Sequence, residues 1–268
     1  MNMRHDDTLI YDLGFYDGSD SRYYLDKGFR VVAVEADPAA VVRARDGFAR
    51  ELTSGVLTLV DRAVAERPGE TIAFYLDPRE GSAFHSIHRV AAERGGAGSV
   101  AVDVETTTVP ALFDLHGVPR YLKCDIEGAD DIVVEQIARD GRRPPFLSIE
   151  VFDREAIERL RDAGYDRFQL VNQGHLSRFR PPRPAREGRR VDVAFGAAHS
   201  GLFGLDLPRR HWCDVRTCLR RFDRWKHMKL DGGPLARLSK HVGRVSGRSW
   251  LDCTGWMDVH ATTLEHLC

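Results

Sequence analysis

Tyr11-Asp12-Leu13-Gly14-Phe15-Tyr16-Asp17-Gly18-Ser19-Asp20 decides how this chain is read. The apolar run Thr8-Leu9-Ile10-Tyr11 before it predicts a short buried strand, and Ser21-Arg22-Tyr23-Tyr24-Leu25-Asp26-Lys27-Gly28 after it predicts a helix. A second apolar run, Arg30-Val31-Val32-Ala33-Val34, ends in Glu35. Strand, glycine turn, helix, strand and closing acid is an arrangement that builds a nucleoside site. Glycines at 14 and 18 let backbone approach a ligand, the helix N-terminus offers unpaired N–H groups, and Glu35 can accept hydrogen bonds from both hydroxyls of a ribose. The spacing Asp12-x-Gly14-x-x-x-Gly18 is looser than the G-x-G-x-x-G that seats a pyrophosphate. An acid at the strand end repels phosphate and suits a ligand that carries an amino group.

Composition narrows the classes. The chain has 268 residues, 43% of them hydrophobic, enough for one large α/β domain. A net charge of −1 gives no global field toward nucleic acid or membrane, and the expected partner is a small molecule. No apolar run reaches signal-peptide or membrane-spanning length, so a cytoplasmic protein is expected. The five cysteines lack the spacing of a disulfide framework or a zinc site.

Downstream, Asp37-Pro38 predicts a helix start that runs to about Leu52, with Asp37 as the cap. Strands are expected over 56–60, 69–76, 100–104, 121–125, 144–151 and 167–172. Residues 77–99 hold four glycines with His85 and His88, and read as a lid or substrate loop. Tyr121-Leu122-Lys123-Cys124-Asp125-Ile126-Glu127-Gly128 ends an apolar strand in acids, which belong at the mouth of a site beyond the carboxyl edge of the sheet.

Here a resemblance becomes specific. Lys123-Cys124-Asp125-Ile126-Glu127-Gly128-Ala129-Asp130 resembles the K-x-D-x-E-G-A-E/D signature of the FkbM family of methyltransferases that use S-adenosyl-L-methionine (SAM). The Asp12/Gly14/Gly18 turn, Val34-Glu35-Ala36-Asp37-Pro38 and Ala63-Val64 are similar to the same family, over roughly residues 8–152. Ser200-Gly201-Leu202-Phe203-Gly204 resembles its S-G-P-F-G segment, with leucine in place of proline. Trp256-Met257-Asp258-Val259-His260-Ala261 resembles a terminal W-x-D-x-H-A. The resemblance implies a doubly wound Rossmann-like sheet of the class I methyltransferase type in a single domain. Residues 1–152 would form the SAM-binding core. Residues 153–268 would complete the sheet, with a helical and loop insertion before a closing strand. It implies SAM contacts from Asp12, Gly14, Gly18, Glu35, Ala36, Asp61, Ala63 and Asp125, the last residues of this set meeting adenine and the reacting end.

The implied reaction is O-methyl transfer to a hydroxyl of a sugar or secondary metabolite. An alcohol needs proton removal, and His260 is the leading base, with Asp125 and Glu150 as alternatives. A metal variant would place Mg²⁺ on Asp125, Glu127 and Glu150. Other readings stay open: a carboxyl O-methyltransferase, which needs no base, an NAD-dependent oxidoreductase, opposed by the missing G-x-G-x-x-G, and an inactive SAM-fold partner protein. Residues 178–190 read as a solvated arginine- and proline-rich loop, set against phosphate binding. The amphipathic pattern over 211–230 fits core packing or a homodimer contact.

Overall fold

The computed structural model describes residues 5–231 and 255–268. The first part of the closing tail expected from sequence, with Cys253, lies outside them. Contacts divide the chain into two units, residues 1–145 and 146–268.

In the first unit, β1 (Asp6–Leu13), β2 (Arg30–Glu35), β3 (Leu57–Asp61) and β7 (Pro119–Cys124) form a parallel array in the order β3-β2-β1-β7. Only Arg30 of β2 is exposed, because neighbouring strands flank it and helices cover it. Val31, Val32 and Val34 are each 3% exposed or less, and each such burial is worth about 1.5–3 kcal/mol. The strand order runs outward from β1 through β2 to β3, then reverses to β7 on the other side of β1. Ligands in such sheets bind where the order reverses, beyond the carboxyl ends. That point lies between the Gly14 turn after β1 and Asp125 after β7. This is the α/β, Rossmann-like class expected from sequence.

Helix α1 (Ser19–Asp26) starts from Gly18. Helix α2 (Pro38–Gly47) begins as expected: Asp37 accepts from the amides of Ala39 and Ala40, and Pro38 takes the first turn. The helix expected to continue to Leu52 instead breaks at Phe48, and α3 (Ala49–Ser54) follows. The Phe48 ring is buried edge-on against Phe15 and beneath the Arg22 guanidinium, so tertiary packing overrides helical propensity there. A smaller sheet, β4 (Ala63–Val64), β6 (Val100–Thr107) and β5 (Thr71–Leu76), carries residues 77–99 from its β5 end. This segment includes the short α4 (Arg89–Ala92). Helices α5 (Val109–His116) and α6 (Asp130–Asp140) flank β7 in sequence. Gln136 of α6 ties them in, accepting from the Val109 amide and donating to the Ala65 carbonyl.

In the second unit, β10 (Met257–Thr262) lies antiparallel between β8 (Phe146–Glu150) and β9 (Arg167–Asn172). Asp153 caps α7 (Arg154–Asp162) through the Ala156 amide, as its position predicts. Helix α8 (Val215–Asp231) buries Cys218, Leu219, Phe222 and Trp225 and packs on α7 and β9, so its apolar face is a core face. No described helix is long and apolar enough to cross a membrane.

Candidate active site

The carboxyl edge of the first unit's sheet gathers most of the candidate residues. Asp61 pairs in register with Glu35, Val34 with Leu13, and Leu13 with Cys124. Asp61, Glu35, Gly14 and Asp125 therefore stand in a row along this edge. Four strands at the usual spacing set the ends of the row about 14 Å apart.

Gly14 has φ +87°, and a Cβ built on it would lie 1.9 Å from the Asp125 carbonyl oxygen. A side chain is thus excluded by the chain's own close approach, which brings β1 and the acid segment together. Gly18, at φ +80°, would meet the Phe15 and Phe48 rings. Both glycines serve the turn before they serve any ligand.

Glu35 is 8% exposed. Its Oε1 accepts from the amides of Ala36 (2.9 Å) and Asp37 (2.8 Å), and its Oε2 from the amide of Tyr16 (2.8 Å). Burial raises its pKa against the pull of these amides. A carboxylate offers about four acceptor sites, so three amides leave one for a ligand. The expectation that Glu35 accepts from both ribose hydroxyls therefore narrows to one direct bond, unless a hydroxyl shares or displaces the Tyr16 amide.

Asp12 is fully buried. Its carboxylate accepts from the Ser21 hydroxyl (2.7 Å) and faces the Lys123 ammonium at 3.0 Å. The amino group that this acid calls for is supplied by the chain itself. Lys123, 4% exposed, also donates to the Gly14 carbonyl (2.8 Å) and lies 3.7 Å from Asp20. Burial disfavours its charge, but Asp12, Asp125 and Asp20 outweigh burial and hold it protonated well above the ordinary lysine range. It fixes the glycine turn from below.

Ala36 and Ala63 place their side chains in an apolar cluster with Phe74 and Val104, so only their backbones can face a ligand. Asp61 is about half exposed and pairs with Arg45 at 3.1 Å. Asp125 is exposed at the end of β7. Beside it, Glu127 has φ +52°, and burial with the nearby Asp125 charge pushes its carboxyl up to about 8 despite Arg94 at 3.3 Å. Burial likewise lifts Asp130 to about 6. Among the described residues no group of three or more His, Cys, Asp or Glu side chains could hold a metal ion.

Residues 77–99 reach this edge. The Tyr16 hydroxyl donates to the Gly81 carbonyl (2.8 Å), the Ser86 hydroxyl donates to the Glu127 carbonyl (2.7 Å), and Arg94 pairs with Glu127. His85 bonds locally to the Ser82 carbonyl and His88 is exposed. Tyr16, Ser86 and Arg94 were not legible as site residues. The only signal for Tyr16 was an aromatic between the two glycines.

The remaining candidates belong to the second unit. Glu150 pairs in register with Asp258, and His260 with Ser148 on one side and Gln169 on the other. The Asp258 carboxylate accepts from the Gln173 amide nitrogen. His260 is 1% exposed, and burial drops its pKa to about 3. It is neutral at physiological pH and a weak proton acceptor, unlike the near-neutral base its residue type suggests.

A glycine turn after β1, acids closing β2 and β3 and an acid just beyond β7, at the reversal of a parallel sheet, define a Rossmann-like fold of the class I methyltransferase type. The methyltransferase FkbM domain matches residues 12–166, more than half of the chain, and the chain belongs to that family. Membership implies use of SAM. Two solved structures are similar at low identity. Precorrin-6y C5,15-methyltransferase from Geobacter metallireducens GS-15 is 17% identical, with a TM-score of 0.35, covering 63% of this chain and 69% of that one. Methyltransferase FkbM from Methylobacillus flagellatus KT is 18% identical, with a TM-score of 0.35, covering 56% of this chain and 34% of that one. The chain thus spans about a third of the latter protein. No curated protein matches the chain.

The residues present fit SAM by the chemistry of their donors and acceptors. Glu35 keeps one acceptor site for ribose, exposed Asp61 stands next to it for an amino group of the base, and exposed Asp125 lies across the turn.

Proposed function

We propose that this protein transfers a methyl group from SAM to a hydroxyl oxygen of a sugar or secondary metabolite, acting in the cytoplasm. The observation that carries the cofactor half is Glu35, held by three amides at the end of β2 with one acceptor site left over. SAM supplies an electrophilic methyl on a sulfonium, so the protein must align the acceptor and remove its proton. Glu35 binds a ribose hydroxyl and Asp61 the adenine amino group. Lys123 holds the Gly14 carbonyl and with it the turn. Asp125, exposed at the strand end, accepts the proton of the acceptor hydroxyl. Its exposure favours it over His260, whose burial makes protonation costly.

Calorimetric titration with SAM tests the cofactor half. Glu35→Ala should weaken binding by about 10- to 150-fold, the worth of one hydrogen bond to a charged group. Unchanged affinity would remove Glu35 from the ribose site. Mass spectrometry of metabolites from cells with and without the protein tests the acceptor. A product heavier by one methylene group and stable to mild alkali fits a methyl ether. An alkali-labile product would instead mean a carboxyl ester.

A further inference from the structure

The second unit holds a cleft to which methyl transfer assigns no role. Its volume is about 480 Å³, within the roughly 300–1,000 Å³ of small-molecule sites. Arg178, Arg180, Arg186, Arg209 and Arg210 line it with a single acid, Asp206. That acid is 2% exposed, and one of its oxygens accepts from the backbone amides of Arg186 (2.7 Å) and Glu187 (3.2 Å). It helps build the frame, and its one negative charge stands among five guanidinium groups.

The arginines here differ from most others in the chain. Arg22, Arg30, Arg142 and Arg154 each pair with a carboxylate. In the cleft, Arg180 donates to the carbonyls of Ser177 and Phe179, and Arg186 to those of Asp206 and Leu207. Arg209 donates to the Leu267 carbonyl, and Arg210 to the His211 ring. Among the described residues no carboxylate pairs with any of these four. Carbonyls hold Arg180, Arg186 and Arg209, and a ring nitrogen holds Arg210, without carboxylates cancelling their charge, and each keeps N–H donors unspent.

The frame is built for this. The Glu187 carboxylate accepts from the Leu205 amide at 2.8 Å, and a Cβ on Gly204 would lie 2.4 Å from it. The 200–204 segment is thereby closed onto the arginine loop, and Leu202 and Phe179 give the cleft an apolar wall. A concave surface with several fixed guanidinium forks calls for a ligand with more than one negative charge and paired oxygens, which is phosphate chemistry. Concavity and a net chain charge of −1 favour a small molecule over a nucleic acid or a membrane surface.

We propose that this cleft binds the phosphoryl groups of a phosphorylated small molecule. The test is calorimetric titration of the full chain with inorganic pyrophosphate at low and high salt. Saturable one-to-one binding that weakens with salt is expected, and Arg180→Gln/Arg210→Gln should weaken it at least 10-fold while the denaturation midpoint holds. If the double variant does not fold, Arg180→Gln alone should still weaken it several-fold. No saturable binding, or binding that the substitutions leave unchanged (an adventitious ion only), overturns the proposal. A nucleoside diphosphate and a hexose phosphate should compete with pyrophosphate. Tighter arginine-dependent binding of anionic vesicles or of an oligonucleotide would overturn the small-molecule ligand. SAM titrated in parallel separates the two readings. Pyrophosphate binding without SAM binding sinks methyl transfer and leaves the cleft standing, whereas SAM binding without pyrophosphate binding sinks the cleft.

Discussion

Replacing His260 with glutamine should flatten the loss of stability in mild acid. The imidazole is 1% exposed, and burial lowers its pKa from 6.5 to about 3. Between those values the unfolded chain takes up a proton that the folded chain refuses. Stability is therefore full above about pH 6.5 and falls as pH drops toward 3. At pH 5 the deficit from this one group is about 2 kcal/mol, and by pH 3 it reaches about 4 kcal/mol. For a chain of this size about 2 kcal/mol corresponds to about 4–8 °C in the melting midpoint. Glu127 and Asp130, whose pKa values are raised to about 8 and about 6, have the opposite sign and gain stability as pH falls. They remain in both proteins and cancel in the comparison. The assay is urea denaturation of the wild type and of His260→Gln at pH 7 and pH 5. The difference between the two proteins should shift by about 2 kcal/mol between the two pH values, in favour of the variant at pH 5. Parallel pH dependences would refute a neutral buried imidazole and restore His260 as a titrating base.

The remaining predictions concern the first unit. Gly14→Ala places a Cβ against the Asp125 carbonyl at positive φ and should cost on the order of 4 kcal/mol, read by chemical denaturation. A near-neutral result would mean that β1 and the acid segment are not in close contact. Lys123→Met leaves Asp12 and Asp20 buried without their cation and should cost about 3–5 kcal/mol by the same measurement. Tyr16→Phe removes the hydrogen bond to Gly81, and trypsin should cut after Arg79 about 2–10 times faster, matching a bond of about 0.5–1.5 kcal/mol. Equal cleavage rates would show that Tyr16 does not restrain residues 77–99.

What the sequence made legible was local. A continuous apolar run marked β2, its last residue placed Glu35 at the sheet edge, and Asp37-Pro38 announced a cap that the structure shows. What it hid depended on distant partners. Asp12 asked for an amino group, but Lys123 stands more than a hundred residues away, so the acid read as a ligand contact. Trp256-Met257-Asp258-Val259-His260-Ala261 read as a closing strand with His260 as the leading base. The strand lies between two others and all six residues are buried, which turns a candidate base into a neutral core histidine. The arginines of the cleft sit on two segments some twenty residues apart, and each alone looks like solvated loop.

The Lys123 hub also constrains how this chain can change over generations. One ammonium serves Asp12 from β1, Asp20 from α1 and the Gly14 carbonyl between them. No single substitution at these three side chains leaves the others satisfied: removing the cation strands two buried acids, and removing one acid unbalances the cation. Descendants and relatives that abandon Lys123 should therefore have exchanged Asp12 and Asp20 as well, so the three positions should covary as one inherited unit. Glu35, whose partners are backbone amides that any residue except proline supplies, is free of that linkage.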